Sequence, residues 1–182
     1  MARVPYLDSS DLAPQNRDLL ERSINLLRAL VHSPDAARSF IGLGRYLRFG
    51  SRLDPRLREL AILQVGYATK SPYEFSHHVK IGREFGVTDA DIRAIEAETR
   101  GRATDLSALP RAVLRAAREL AIEGDLSDDT FAELRKGLNN EQTVDLLITI
   151  SFYCGVVRLL AALRIDVEED YMQYLREFPL GE

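Results

Sequence analysis

The sequence predicts an all-α protein, and three observations carry that prediction. Apolar residues recur at three- and four-residue spacing through most of the 182 residues, as they do along one face of a helix. Cap-and-proline pairs, Ser33-Pro34, Asp54-Pro55 and Ser71-Pro72, mark helix starts. No segment alternates apolar and polar residues with a period of two, so no sheet is expected.

The elements follow in order. Residues 1–10 read as an extended arm carrying Pro5. Pro14 to Val31 aligns Leu20, Ile24, Leu27 and Val31 on one stripe and predicts a first helix. The second opens at Ser33-Pro34, with Phe40, Ile41, Gly44 and Leu47 as its apolar face and Gly50 as its stop. Asp54-Pro55 opens a third, reaching about Thr69. Ser71-Pro72 opens a fourth, ending near Phe85-Gly86. Thr88 caps a short fifth helix bearing Ile92 and Ile95. The polar stretch 99–108 is a linker. Pro110 to Glu123 and Ser127 to Leu138 are the sixth and seventh helices. The eighth, about Glu141 to Leu163, is apolar nearly all round, the mark of a central helix or one at a subunit interface. An acidic, then aromatic tail with Tyr171, Tyr174 and Phe178 follows.

Composition narrows the function classes. A net charge of −4 gives no basic field for nucleic acid. The one cysteine, Cys154, excludes an internal disulfide and any CxxC motif. The N-terminus shows no signal-peptide pattern. The longest apolar run, Leu146 to Leu163, is interrupted by Arg158 and argues against a membrane span. The expectation is a cytoplasmic protein with no nucleic-acid or membrane partner.

Proton-carrying groups concentrate in one place. Two of the three histidines, His77 and His78, lie with Glu59 and Glu74 on otherwise apolar helices. Ser71, Glu74 and His78 share a helical face, and Tyr73 and His77 share the neighbouring one. A short turn at Thr69-Lys70 makes the third and fourth helices antiparallel neighbours, which can bring Glu59 to His78. Histidine ionises near neutral pH, and a carboxylate on its second nitrogen fixes the tautomer. The plainer readings are a Ser71–Glu74 capping box, Glu59 paired with Arg56 or Lys70, a surface His77 and a core His78. The HExxH spacing is absent, so no metal site is expected. Cys154 reads as a buried small hydrophobe, with peroxide reduction through it requiring a depressed thiol pKa. His32, at a helix C-terminus, reads as structural. Arg158 reads as a paired charge. Tyr67 and Tyr153 read as core filling, with a pocket lining as the alternative.

The runs Arg58-Glu59-Leu60-Ala61-Ile62-Leu63, Tyr73-Glu74-Phe75-Ser76-His77-His78, Gly82 and Phe85-Gly86-Val87-Thr88-Asp89 resemble the carboxymuconolactone decarboxylase family, which includes the alkylhydroperoxidase D-like proteins. The resemblance is strongest over 54–98, with a weaker echo from Glu141 to Asp166. It implies a helical bundle of that type: a single domain over 1–182, with the family-like core at about 40–98 and a second helical part at about 109–166. It also implies a homotrimer or homohexamer. The family's peroxidatic branch carries a glutamate, a CxxC and a histidine four residues on. Here Glu59 and His78 match the glutamate and histidine, Ser71 and Glu74 stand at the cysteine positions, and Tyr73 stands at the histidine between them. Dithiol peroxidase chemistry is thereby unavailable. Resemblance to the cysteine-free branch implies a cofactor-independent lyase acting by proton transfer on a small lactone or carboxylated compound. His78 is then the acid/base, Glu59 its tuner, Glu74 a second carboxylate and His77 a relay or substrate partner. Tyr73 and Ser71 are expected to bind substrate, and Arg45, Arg52 or Arg83 to hold a substrate carboxylate. The alternative is a non-catalytic binding or structural oligomer on the same fold.

Overall fold

Local capping sets most of the architecture, and helix α3 (Pro55–Ala68) shows how. The Asp54 carboxylate accepts the Leu57 N–H at 3.0 Å, and Pro55 occupies the first turn, where its missing N–H costs nothing. In the computed structural model, which describes residues 1–181, α3 is buried on every side from Leu57 to Gly66. It packs against four other helices: α4 (Pro72–Glu84), α5 (Asp89–Thr99), α6 (Ala108–Ile122) and α8 (Asn140–Leu163). No strand occurs among the described residues. The all-α prediction holds.

The turn between α3 and α4 is as short as the sequence implies. Lys70 sits in the left-handed region at φ 49°, and Ser71 donates its N–H to Gly66 O at 2.9 Å. Gly66 permits the close crossing, since a Cβ there would stand 3.1 Å from the Phe75 backbone nitrogen. This contact fixes α4 against α3.

Helix α2 (Pro34–Phe49) lies where the sequence places it, but its apolar face is only half-buried at Phe40, Ile41 and Gly44. The reason is that this face walls a cavity rather than filling a core. Helix α7 (Asp128–Arg135) starts at a Ser127 cap. Helix α8 starts at an Asn139–Gln142 capping box and ends where Arg164 turns left-handed at φ 53°. Helix α8 is long and apolar enough to cross a membrane by length and composition. Ten of its residues are buried within the bundle, which makes it a core helix, while Val144 and Ile148 stand exposed.

The predicted first helix is not continuous. Residues Pro14–Leu20 form a 3₁₀ stretch, Ile24 is extended, and α1 covers only Asn25–Leu30. The break has a tertiary cause: the first N–H of α1, at Asn25, is taken at 2.7 Å by the Glu168 carboxylate, 143 residues away. The N-terminal arm likewise contains a 3₁₀ turn, Ser9–Asp11. The tail folds back as a 3₁₀ turn, Glu169–Tyr171, that leads into α9 (Met172–Glu177), which packs on α4.

Candidate active site

Helices α3 and α4 bring Glu59, Glu74 and His78 together in the buried interior. His78 Nδ1 lies 2.6 Å from Glu59 Oε2, and its Nε2 lies 3.0 Å from Glu74 Oε1, one turn back on the same helix. The other Glu59 oxygen accepts Arg58 Nε–H at 3.0 Å. Arg58 also donates to the Arg48 carbonyl at 3.1 Å and lies 4.5 Å over the Phe85 ring. All four side chains are buried. Two carboxylates and two cations balance, which is the condition under which buried charges are tolerated. Burial by itself would push His78 down. The charges and hydrogen bonds of Glu59 and Glu74 outweigh it and raise His78 to about 9. Burial likewise opposes ionisation of Glu59, and His78 and Arg58 overcome it and hold the carboxyl low.

His77 is rotated about 100° around the same helix and meets different partners. Its Nε2 lies 2.8 Å from Glu168 Oε2. The other Glu168 oxygen accepts the Tyr73 hydroxyl at 3.0 Å as well as the Asn25 N–H. The Tyr73 oxygen accepts the Leu26 N–H at 3.1 Å. The His77 ring is stacked between Tyr73 (centroids 4.2 Å apart) and Tyr171 (3.6 Å). Burial pushes His77 below its ordinary pKa, and the single adjacent carboxylate of Glu168 does not reverse it. Burial opposes the Glu168 charge too, but the hydrogen bonds from His77 and Asn25 hold this carboxyl low. A neutral imidazole donating Nε2–H to a carboxylate satisfies both.

Both faces of α4 border one cavity of about 330 Å³. Its floor is Tyr73, Glu74, His77, His78 and Tyr153, with Tyr153 edge-on to His78 at 5.0 Å. Burial raises the Tyr153 hydroxyl, so it is present as O–H. Ile24, Leu27, Phe40, Ile41, Phe152 and Val156 make apolar walls, and Arg45 and the half-buried Arg48 of α2 supply cations. The arrangement can store, move and deliver protons to a small molecule with an apolar body.

Several expectations need correction. The Ser71–Glu74 capping box is absent. The Ser71 side chain makes no cap bond, and Glu74 turns to His78 instead. Ser71 does not line the cavity. Glu59 pairs with neither Arg56, which binds Asp91, nor Lys70. Of the proposed arginines only Arg45 reaches the cavity. Arg52 lies 3.8 Å from Glu141, and Arg83 is held by Asp89 and Glu177. His77 is not a surface residue but is buried. Burial raises the Cys154 thiol, contrary to what peroxide reduction through it requires. Arg158 is exposed and donates to the carbonyls of Cys154 and Ala121 rather than to a carboxylate. Tyr67 packs on Phe75 away from the cavity, and His32 Nε2 lies 2.9 Å from the Pro5 carbonyl. Sequence reasoning misses Arg48, Glu168 and Tyr171. Arg48 is findable from its three-residue spacing to Arg45. For Glu168 and Tyr171 no local signal exists. Among the described residues no group of three or more His, Cys, Asp or Glu is arranged to hold a metal ion.

Fold and site together define an all-helical protein with a buried, hydrogen-bonded Glu59–His78–Glu74 cluster bordering a largely apolar cavity. Residues 34–122, just under half of the chain, match the carboxymuconolactone decarboxylase family. No curated protein matches the chain. Among solved structures, a peroxidase-related protein from Ralstonia eutropha JMP134 with an alkylhydroperoxidase AhpD core superposes with a TM-score of 0.80 at 20% identity, over 96% of this chain and 95% of that one. The debrominase Bmp8, as a cysteine-to-alanine variant in complex with 2,3,4-tribromopyrrole, gives 0.82 at 20% identity, over 98% and 100%. A peroxidase-related protein from Silicibacter sp. TM1040 gives 0.72 at 19%, over 93% and 92%. At these identities the likeness is one of fold.

Proposed function

We infer that the chain is a cofactor-independent enzyme of the lyase type, moving protons on a small lactone or carboxylated compound in this cavity. The observation that carries the reading is a Glu59–His78–Glu74 chain whose charge Arg58 balances, buried in the bundle and ending at a largely apolar cavity. An imidazolium bonded through both nitrogens has no free lone pair. His78 therefore stores a proton, Glu59 and Arg58 hold it in place, and Glu74 meets the substrate. In a decarboxylation, Arg48 or Arg45 orients the substrate carboxylate. The C–C bond breaks, CO₂ leaves, and its electron pair stays on the substrate as an enolate. The carbon then takes a proton from His78 by way of Glu74.

The test is turnover of a panel of unsaturated carboxylated lactones, followed by CO₂ release. His78→Ala and Glu74→Gln should each lower kcat/KM by about 10²- to 10⁴-fold, with circular dichroism showing a retained helical fold. Unchanged turnover in His78→Ala would remove the relay from the mechanism.

A further inference from the structure

The Glu59–His78–Glu74 chain leaves His77 and Glu168 unexplained. They are a second acid–histidine pair on the same cavity, built from different elements. His77 Nε2 is committed to Glu168, and Nδ1 has no partner among the described residues. The ring cannot swing, because Tyr73 and Tyr171 clamp its two faces nearly parallel, at 13° and 6°. Glu168 is itself fixed by the Asn25 N–H and the Tyr73 hydroxyl. Three segments far apart in sequence thus converge to hold one imidazole at a cavity wall. A helix that needed only packing there would be served by an apolar side chain.

We propose that His77 is a second catalytic residue of this cavity, a general base whose Nδ1 removes a carbon-bound proton, with Glu168, Tyr73 and Tyr171 as its positioning residues. The cavity then takes carbon acids, such as an unsaturated lactone or ketone whose double bond shifts beside the carbonyl. This rests on the reading of the cavity as an active site and adds a further activity to it. The C–H proton passes to His77 Nδ1, and its electron pair stays on the substrate as a dienolate. The distal carbon takes a proton from His78 through Glu74. His77 ends one proton richer and His78 one poorer, and exchange with water restores both. Adjacent histidines held in different protonation states are the arrangement such a shift needs. The charged and titratable groups around His77 are Glu168 and Tyr171 from the tail, Tyr73, Glu74 and His78 from its own helix, Glu21, Arg22, Arg45, Arg48 and Tyr153 lining the same cavity, and Lys80, 5.5 Å over the Tyr171 ring.

The probe is 5-nitrobenzisoxazole. A base removes its one carbon-bound proton, the N–O bond breaks, and the electron pair leaves on a coloured phenolate. It carries neither a carboxylate nor a lactone, so its elimination does not depend on the lyase reading of the substrate. The protein should accelerate the elimination, with the rate rising through an inflection below pH 6.5, the ordinary histidine value, to a plateau. His77→Gln, which keeps an amide toward Glu168, should lose about 10²- to 10⁴-fold in kcat/KM. Glu168→Gln should move the inflection to lower pH, which a purely structural residue would not do. Two-bond ¹H–¹⁵N NMR at pH 7 should show His77 neutral with its proton on Nε2. A His77 that is charged or protonated on Nδ1 overturns the proposal, and so does a protein with no acceleration. Full activity in His77→Gln with loss in Glu74→Gln would assign the base to Glu74 and overturn it as well, while leaving the lyase reading standing.

Discussion

His77 and His78 are neighbours in sequence and opposites in chemistry. His78 is bonded to two carboxylates in a site where Arg58 completes a neutral quartet, and it holds a proton up to about pH 9. His77 is bonded to one carboxylate, itself held by an N–H and a tyrosine, and it is pushed below its ordinary value. Both rings are buried. The difference therefore does not come from exposure. It comes from how many carboxylates each ring meets and from how those carboxylates are shared. One step of about 100° around α4 is enough to exchange one environment for the other.

The comparison breaks most visibly at its carboxylates. Glu59→Gln leaves buried cations with half their compensation, and such a rupture costs about 3–5 kcal/mol. For a domain of this size that is a fall of roughly 6–20 °C in Tm. Glu168→Gln removes a charge-assisted bond to a neutral ring and should cost about 1–3 kcal/mol. Calorimetry on the two variants checks the order. Equal costs would mean that the two histidines share one environment after all.

The pH dependence of stability sharpens the same contrast, because the two rings act on opposite limbs. His78 has a folded pKa raised from 6.5 to about 9. Its contribution is fully present below pH 6.5 and is lost as the pH rises through 9, an effect on the order of 3 kcal/mol. His77 has a lowered folded pKa. The unfolded chain binds its proton first, so stability falls as the pH drops below 6.5. Glu168, held low in the fold, adds to that acid loss as the pH falls through its folded value. Urea unfolding from about pH 4 to about pH 10 should show both limbs. Glu59→Gln should flatten the alkaline one and also remove the share of the acid one that the low-held Glu59 carboxyl supplies, whereas Glu168→Gln should alter the acid one alone. Loss of the alkaline limb in Glu168→Gln would count against two separate sites.

What the sequence makes legible follows the same division. Helices α3, α4, α5 and α7 begin at N-cap positions readable within four residues, Asp54, Ser71, Thr88 and Ser127. The Glu59–His78 meeting is readable too, because a two-residue turn leaves α3 and α4 few ways to pack. Glu168 is not readable. Its three partners, Asn25, Tyr73 and His77, lie 91 or more residues away, and nothing in an acidic tail distinguishes a carboxylate that caps one helix while orienting a ring on another. The same carboxylate explains the misjudged first helix: apolar periodicity runs through Ile24, but a tertiary acceptor starts α1 at Asn25 instead. Apolar periodicity also cannot separate a core face from a cavity wall, which is why the α2 face of Phe40 and Ile41 reads as packing.

The smallest predicted effect tests which side of α4 Glu74 serves. Ser71 stands at an N-cap position, and a working cap lost to alanine costs about 0.5–2 kcal/mol. Thr88 is such a cap: its oxygen accepts the Asp91 N–H at 3.1 Å, and Asp91 answers with a bond to the Thr88 N–H at 2.9 Å. Ser71 makes no such bond, its own N–H is taken by Gly66, and the carboxylate that would complete the box is bonded to His78. Ser71→Ala should therefore cost less than about 0.5 kcal/mol, and Thr88→Ala should fall within the range of a working cap. Urea denaturation of the two variants separates them. Should Ser71→Ala cost as much as Thr88→Ala, Glu74 divides its time between His78 and the helix cap. His78 would then lose its second carboxylate for part of that time, and with it much of what distinguishes it from His77.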